Sequence, residues 1–152
     1  MTVARGLLSI FGALAFAAFV YAGPAGASEE PAVADNGLFT QPFFVETFFN
    51  FADDHAEAAA QGKGLVVIFE QRGCPYCREM HRVNFAKPEI VDFVTENFNV
   101  VQLDMWGSRE VTDFDGEAME ERALARKWGV NFTPTLLFFA ADADVAGKPG
   151  NT

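Results

Sequence analysis

Two cysteines separated by two residues are the part of this sequence with the clearest capacity for chemistry. Cys74 and Cys77 are the only cysteines in the chain, and they enclose Pro75 and Tyr76. Two thiols one helical turn apart can close a disulfide and exchange electrons with another thiol–disulfide pair. A loop with so few residues inside it constrains the unfolded chain little, which argues against a passive structural disulfide. We therefore predict a redox-active pair.

The residues before the pair predict how it is positioned. Leu65–Phe69 is apolar and rich in β-branched residues, as is typical of a buried strand, and the polar turn 71–73 follows it. Pro75 is tolerated in the first turn of a helix, since its missing N–H would lack an intrahelical partner there. Cys74 is therefore expected at a helix N-terminus, where the partial positive charge favours the thiolate. Arg72 could add to that effect or be a spectator in an exposed turn.

Composition and charge limit the classes of function. The chain has 152 residues, of which 50% are hydrophobic and 17 are Phe, which is enough for one domain with its own core. Its formal net charge of −10 leaves no electrostatic footprint for nucleic acid or anionic lipid. We therefore expect no nucleic-acid partner.

The beginning of the chain has the pattern of an export signal. Arg5 forms a thin positive region, residues 6–21 are apolar, and Ala25-Gly26-Ala27 fits the rule for a cleavage site. An uncleaved membrane anchor is the alternative, because the apolar run approaches the length of a membrane span. We expect a signal peptide over 1–27, a flexible lead-in over 28–37 and one domain over 38–152, located outside the cytoplasm.

The rest of the sequence alternates between helical and strand patterns, which indicates an α/β domain. The Phe-rich and Ala-rich runs before the first strand are interpreted as one helix over Phe43–Gln61 that packs on the sheet. The first two strands are expected to be parallel. In chain order, the further expected elements are a strand over Leu65–Glu70, the helix that begins near Cys74, a helix over Glu89–Asn97, a strand over Asn99–Asp104, a polar loop over Trp106–Gly116, a helix over Glu117–Trp128 and a strand over Thr135–Phe139.

The strand that runs into Cys74-Pro75-Tyr76-Cys77, together with Thr133-Pro134-Thr135 at the start of the third strand, resembles the thioredoxin superfamily. The resemblance covers roughly residues 63–139. It implies a central mixed sheet flanked by helices and a cis bond before Pro134, which would lie against the two sulfurs. It also implies that the backbone of Thr133 pairs with an extended substrate segment, and that Pro75 and Tyr76 contact the substrate.

Three longer stretches resemble the exported thioredoxins of the SoxW type, which are associated with sulfur oxidation: FEQRGCPYCREMH, DMWGSREVTDFDG and RKWGVNFTPTLLFF. This resemblance implies a periplasmic thiol–disulfide reductase of protein disulfides, without a cofactor. In such a protein the Cys74 thiolate attacks the substrate and Cys77 resolves the mixed disulfide. A membrane thiol carrier of the CcdA or DsbD kind would supply the electrons.

The chain departs from the thioredoxin pattern at several positions. Ile68 stands six residues before Cys74, where thioredoxins usually carry a buried acid. Glu70 lies on the same face of the strand and nearer the cysteines, so we predict it as the proton acceptor, with a solvated side chain beside Arg72 as the alternative. Gly73 replaces the usual aromatic residue and removes a hydrophobic lip from the substrate groove. The elements that hold glutathione in glutaredoxins, which also use CPYC, are not found.

The sequence after the third strand is short. A strand this apolar should be paired or covered on its outer side, and little chain remains to do so. We therefore expect an incomplete C-terminus that lacks the final strand and helix.

Metal binding is the alternative class of function. Cys74, Cys77 and His81 fall at i, i+3 and i+7, so one helical face could present all three to a soft metal such as Cu(I). The non-functional interpretation of His81 is that it is simply a polar residue on an exposed helix face. The acidic run 113–117 has no calcium-loop pattern after it and is interpreted as a solvated loop. We therefore favour exchange chemistry and expect no bound metal.

Overall fold

A mixed sheet forms the centre of the computed structural model, which describes residues 30–145. The predicted α/β class, the mixed central sheet and the parallel pairing of the first two strands are confirmed. In chain order, the elements are α1 (Phe51–Ala60), β1 (Gly64–Glu70), α2 (Pro75–Glu79), a π-helical turn (Met80–Asn84), α3 (Pro88–Asn97), β2 (Phe98–Asp104), β3 (Glu110–Thr112), β4 (Ala118–Glu120), α4 (Glu121–Lys127) and β5 (Thr135–Phe139). The order in the main sheet is β2-β1-β5, with β1 parallel to β2 and antiparallel to β5.

Strand β1 is buried along its whole length, and its two faces belong to different clusters. Val67 and Phe69 face a cluster that includes side chains of α1 and α4. Ile68 faces a second cluster, against which side chains of α3 pack. Because successive side chains of a strand point to opposite faces, Glu70 falls on the same face as Ile68. The apolar content of β1 is thus what a strand covered on both faces requires.

The predicted single helix over Phe43–Gln61 is wrong in its first half. Helix α1 begins only at Phe51, and Asn50 is its N-cap, with a side chain that accepts the backbone N–H of Asp53 at 3.4 Å. Phe49, just before the cap, has a φ of 57°, a left-handed conformation that a continuous helix does not contain.

The segment before α1 is extended because it satisfies the free edge of β2. Phe44 forms an isolated parallel bridge with Val100, and the N–H of Val45 donates to the carbonyl of Val100 at 2.8 Å. An edge strand has unpaired backbone groups that a neighbouring extended segment can take up. The Phe side chains therefore have different environments: Phe51 is in the core, whereas Phe48 is fully exposed.

The predicted loop over Trp106–Gly116 and the predicted helix start at Glu117 are also wrong. Strands β3 and β4 form a short antiparallel hairpin, and α4 begins after it. Arg109 places this hairpin, since its guanidinium lies 3.6 Å from the centre of the Phe49 ring and pairs with Glu121. Three-residue strands held by such distant partners have no recognisable period in the sequence.

The acidic run 113–117 does not form a solvated loop of free carboxylates. The ammonium group of Lys127 lies 2.6 Å from Asp113, 2.7 Å from Asp115 and 2.8 Å from Glu117. These carboxylates hold the pKa of Lys127 above its usual range, chiefly through their hydrogen bonds. A cation of this chain therefore occupies the place that a divalent ion would need.

The expected lead-in over 28–37 folds back on itself where the structure describes it, from residue 30. Val33 forms an isolated bridge with Phe39, and Leu38 between them is 1% exposed. The predicted signal peptide over 1–27 and the residues from 146 onward, on which the expected C-terminal truncation depends, lie outside the described residues. Within residues 30–145, no helix has the length and apolar character needed to cross a membrane.

Asp54 gives a testable dependence of stability on pH. Burial raises the pKa of Asp54 from 3.8 to about 6, and the hydrogen bond from Thr47 only partly opposes this shift. Since the folded-state pKa is raised, the stabilising contribution is fully present below about pH 4 and is lost as the pH rises through about 6. At neutral pH, Asp54→Asn should therefore increase the free energy of unfolding by about 1–2 kcal/mol, after allowance for solvent screening.

Urea unfolding at neutral pH and below about pH 4 measures this difference. The gain from Asp54→Asn should disappear at the lower pH. Asp92→Asn, at an exposed position of α3, is the matched control and should show no such gain. A variant Asp54→Asn that is less stable than the parent at neutral pH would contradict the burial argument.

Candidate active site

The disulfide lies at the junction between β1 and α2. Cys74 is the N-cap residue of α2, and its Sγ accepts the backbone N–H of Cys77 at 3.1 Å. The two cysteines are joined in a disulfide with their Cα atoms 5.2 Å apart, and Pro75 occupies the first turn of the helix. Cys74 is 3% exposed and Cys77 is 0% exposed. Any approach from solvent therefore reaches Cys74 first.

Thr133 and Pro134, although distant in sequence, lie against this disulfide. The peptide bond between them is cis. The hydroxyl of Thr133 donates to Cys74 Sγ at 3.4 Å, and the carbonyl oxygen of Thr133 lies 3.7 Å from the same sulfur. Two hydrogen-bond donors, the Cys77 N–H and the Thr133 hydroxyl, thus point at Cys74 Sγ. Donors in these positions stabilise negative charge on a sulfur.

The surface around the disulfide is aromatic. Tyr76 between the cysteines is 74% exposed, and Phe132, next to Thr133, is 71% exposed. Trp106 is 62% exposed, and its indole N–H donates to the side chain of Gln71 at 2.6 Å. Trp106 therefore lies beside the turn that leads into Cys74. No local pattern indicates this placement, because Trp106 and Gln71 are far apart along the chain.

Arg72, in the same turn, is directed to another partner. Its guanidinium is 3.8 Å from a carboxylate oxygen of Asp104, and its side chain is 71% exposed. An exposed pair at this distance contributes little stability. Because this ion pair directs the Arg72 guanidinium to Asp104, it gives no support for a role of Arg72 in stabilising the Cys74 thiolate.

Glu70 and His81 form a buried pair behind the disulfide. Glu70 is 0% exposed and His81 is 2% exposed. His81 Nε2 lies 2.9 Å from Glu70 Oε1, and the side-chain amide of Gln102 donates to Glu70 Oε2 at 2.6 Å. The alternative of a solvated Glu70 beside Arg72 is wrong, and so is the expectation that His81 lies on an exposed helix face. Both side chains lie in the interior between the end of β1 and the helical segment 75–84, where water is excluded.

The segment before α1 closes this pair from the outside. The side-chain amide nitrogen of Gln41 lies 3.1 Å from His81 Nδ1, and the carbonyl of Phe39 accepts from Gln102 at 2.6 Å. The rings of Phe39 and Phe44 lie 5.8 and 5.7 Å from the His81 ring. Sequence reasoning missed Gln41 and Gln102, because each is a lone amide without a motif.

The geometry does not support the alternative of a soft-metal site. Both ring nitrogens of His81 have hydrogen-bond partners, and the sulfurs of Cys74 and Cys77 are bonded to each other. Among residues 30–145, no group of three or more His, Cys, Asp or Glu side chains is arranged to hold a metal ion. His81 is therefore committed to Glu70 and Gln41.

The part of the chain that contains this site matches a known protein family. Residues 51–151 match the model of a protein family described as a thioredoxin-like domain. A thioredoxin from Thermus thermophilus is 27% identical, with a TM-score of 0.44 over 59% of this chain and 61% of that one. A thioredoxin-fold protein from Helicobacter pylori is 23% identical, with a TM-score of 0.42 over 53% of this chain and 54% of that one. The chain thus spans less than two thirds of either structure. A comparison with curated proteins found no match.

The hydroxyl of Thr133 gives a testable contribution to the reactivity of Cys74. Thr133→Val keeps the shape of the side chain but removes the donor 3.4 Å from the sulfur. Losing one hydrogen bond of about 1 kcal/mol should lower the alkylation rate of Cys74 in the reduced protein by about fivefold at neutral pH. The rate can be followed with iodoacetamide and mass spectrometry. Thr133→Ser, which retains the hydroxyl, should react like the parent, and equal rates for all three proteins would contradict this role.

Proposed function

This chain belongs to the thioredoxin-like domain family, and from that membership we propose that it is an extracytoplasmic reductase of protein disulfides. A thioredoxin-like fold with a cysteine pair at disulfide distance fits thiol–disulfide oxidoreductase chemistry in general. The observation that carries the proposal is the convergence on one sulfur, Cys74 Sγ, of a helix start, the Cys77 N–H and Thr133. A structural disulfide has no use for such donors, whereas a thiolate leaving group or nucleophile does.

The reaction is two successive thiol–disulfide exchanges. In the reduced protein, the Cys74 thiolate attacks one sulfur of a substrate disulfide, so that a Cys74–substrate bond forms and the substrate S–S bond breaks. The first substrate thiolate leaves and takes up a proton. Cys77 then loses its proton and attacks Cys74 Sγ, which releases the second substrate thiolate and leaves Cys74–Cys77 oxidised. Two electrons pass to the substrate, and an external dithiol must return them by becoming oxidised to its own disulfide.

The order of the two cysteines follows from their surroundings. Cys74 accepts the two donors that favour a thiolate, and it is the cysteine nearer to solvent. Cys77 is fully buried and can reach only a partner already attached to Cys74. Attack by Cys74 and resolution by Cys77 is therefore the assignment that both burial and hydrogen bonding favour.

Substrate recognition is assigned to the surface around Cys74. An extended substrate segment would pair with the backbone of Thr133 and lie across Pro75 and Tyr76. The exposed rings of Phe132 and Trp106 enlarge this surface, and aromatic side chains contribute strongly to contact energy. A segment with apolar residues next to its disulfide is the class of substrate that this surface fits.

Glu70 is assigned the proton that Cys77 releases. Strand alternation and its position at the end of β1 put Glu70 on the buried face toward α2. A buried carboxylate that keeps acceptor capacity beside its donors is suited to take a proton from a neighbouring thiol. The hydrogen bonds from His81 and Gln102 orient it for that task.

The compartment and the electron donor are proposed from the sequence. The signal pattern over 1–27 supports export to the periplasm. In an oxidising compartment a reductase needs a supply of electrons, which supports a membrane thiol carrier of the CcdA or DsbD kind as donor. The resemblance to SoxW-type proteins supports a substrate connected with sulfur oxidation.

Trapping of mixed disulfides tests this function. Cys77→Ala leaves the attack by Cys74 intact but removes the resolving thiol, so covalent complexes with partners should accumulate. They can be purified from cells that express the full chain, separated on gels without reductant and identified by mass spectrometry. Exported disulfide-bonded proteins and a membrane thiol carrier are the expected partners.

Cys74→Ala is the matched control, because its remaining cysteine is fully buried and should trap few partners. Equal trapping by the two variants would contradict the assignment of Cys74 as the nucleophile. Partners drawn only from cytoplasmic proteins would contradict the location. The absence of any complex with Cys77→Ala would contradict the exchange function itself.

A further inference from the structure

We infer that Gln41 and His81 are positioning residues for the resolving step: Gln41 fixes the tautomer of His81, and His81 thereby orients Glu70 to receive the proton of Cys77. This inference rests on the proposed function. It also gives a functional role to the segment 30–45, which precedes the part of the chain that matches the family model. We call the segment 30–45 the N-terminal arm.

The contact between Gln41 and His81 determines which ring nitrogen carries the hydrogen. The amide nitrogen of Gln41 is a donor, and it lies 3.1 Å from His81 Nδ1. Nδ1 is therefore the acceptor in neutral His81, and Nε2 carries the hydrogen. That hydrogen is donated to Glu70 Oε1 across 2.9 Å. The opposite tautomer would turn a lone pair of Nε2 toward the carboxylate and lose this hydrogen bond.

The environment makes the tautomer matter. His81 and Glu70 are essentially inaccessible to water, so no solvent molecule can replace a lost donor at little cost. Besides Glu70 from β1, the polar groups that face the pair are Gln41 from the arm and Gln102 from β2. The aromatic rings of Phe39, Phe44 and Phe85 also lie near the His81 ring, at centroid distances of 5.8, 5.7 and 5.3 Å. The orientation of Glu70 thus depends on very few hydrogen bonds.

The position of Cys77 connects this network to the chemistry. Cys77 and His81 are four residues apart and are the buried residues of α2 and of the π-helical turn that follows. Side chains at that spacing lie on one face of a helix. Cys77 and His81 are therefore buried on one face of this helical segment, and the hydrogen bond between His81 and Glu70 links that face to the end of β1. When Cys77 attacks Cys74 Sγ, its proton passes to the Glu70 carboxylate, while the His81 and Gln102 donors stay in place.

The arm also contacts the helix on its outer side. Arg78, the residue after Cys77, forms two hydrogen bonds with the carboxylate of Glu30. The arm thus reaches from the solvent side of α2 to the buried pair beneath it. These contacts hold Gln41 against His81 by joining the arm to residues inside the part of the chain that matches the family model.

A chromogenic aromatic disulfide separates the two steps of the reaction. It releases one coloured thiolate when Cys74 attacks and a second one when Cys77 resolves the adduct, and stopped-flow absorbance resolves both. Gln41→Leu should leave the first release unchanged and slow the second about tenfold, as expected for one weakened hydrogen bond to a charged acceptor. Gln61→Leu, at an exposed glutamine beyond α1, is the matched control and should change neither step.

A double-mutant cycle tests whether Gln41 acts through His81. His81→Gln keeps a donor for Glu70 but has no tautomers, so adding Gln41→Leu to it should cost the second step almost nothing more. Nitrogen chemical shifts of the His81 ring provide a readout that does not depend on turnover. They should show the Nε2–H tautomer in the parent protein and a mixture in Gln41→Leu.

The outcomes distinguish this inference from the proposed function. If the parent protein releases neither thiolate, the exchange function is wrong. If both releases occur but Gln41→Leu changes neither the second rate nor the tautomer, the inference is wrong while the function stands. Additive losses in the double variant would equally contradict a path through His81.

Discussion

The burial of β1 on both faces is the constraint on which the rest of the structure depends. A strand enclosed on both sides must be apolar, and β1 meets that requirement at every position before Glu70. Its last residue is the exception, because Glu70 is a carboxylate without access to water. A buried polar group of this kind needs hydrogen-bond partners, and His81 and Gln102 supply them. The turn into Cys74 begins at the same end of β1, so the buried carboxyl group of Glu70 and the disulfide both lie near the end of this strand.

The reactive sulfur and the turn before it are contacted by groups from three separate parts of the chain. The backbone N–H of Cys77 comes from α2, the hydroxyl of Thr133 precedes β5, and Trp106 follows β2 beside the turn. Each of these elements is attached to β1 directly or through β2. The sheet thus serves as a frame, and these groups lie beside the end of its central strand, β1. This is why a short motif needs a whole domain to become a redox centre.

The sequence was sufficient where a local pattern determines the structure. Three elements were predicted to within one residue at each end. They are the strand over Leu65–Glu70 (β1), the helix over Glu89–Asn97 (α3) and the strand over Thr135–Phe139 (β5). The spacing of Cys74 and Cys77 likewise predicted the disulfide pair that the structure contains.

The sequence was insufficient where a partner distant in the chain decides the outcome. The segment before α1 contains many Phe residues at helical spacing, yet it is extended because β2 has a free edge beside it. The hairpin of β3 and β4 depends on a contact between Arg109 and Phe49. His81 looked like an exposed polar residue, since nothing local indicates that Gln41 and Glu70 would enclose it. Long-range packing therefore overrode local propensity at each of these positions.

The most direct test of the account is the reduction of a disulfide-bonded model protein such as insulin in the presence of a small dithiol. The parent chain should accelerate this reduction catalytically, and Cys74→Ser should lower the rate to that of the dithiol alone. A Cys74→Ser variant that is as active as the parent, or a parent chain that gives no acceleration, would contradict the claim that Cys74 is the nucleophile of a disulfide reductase.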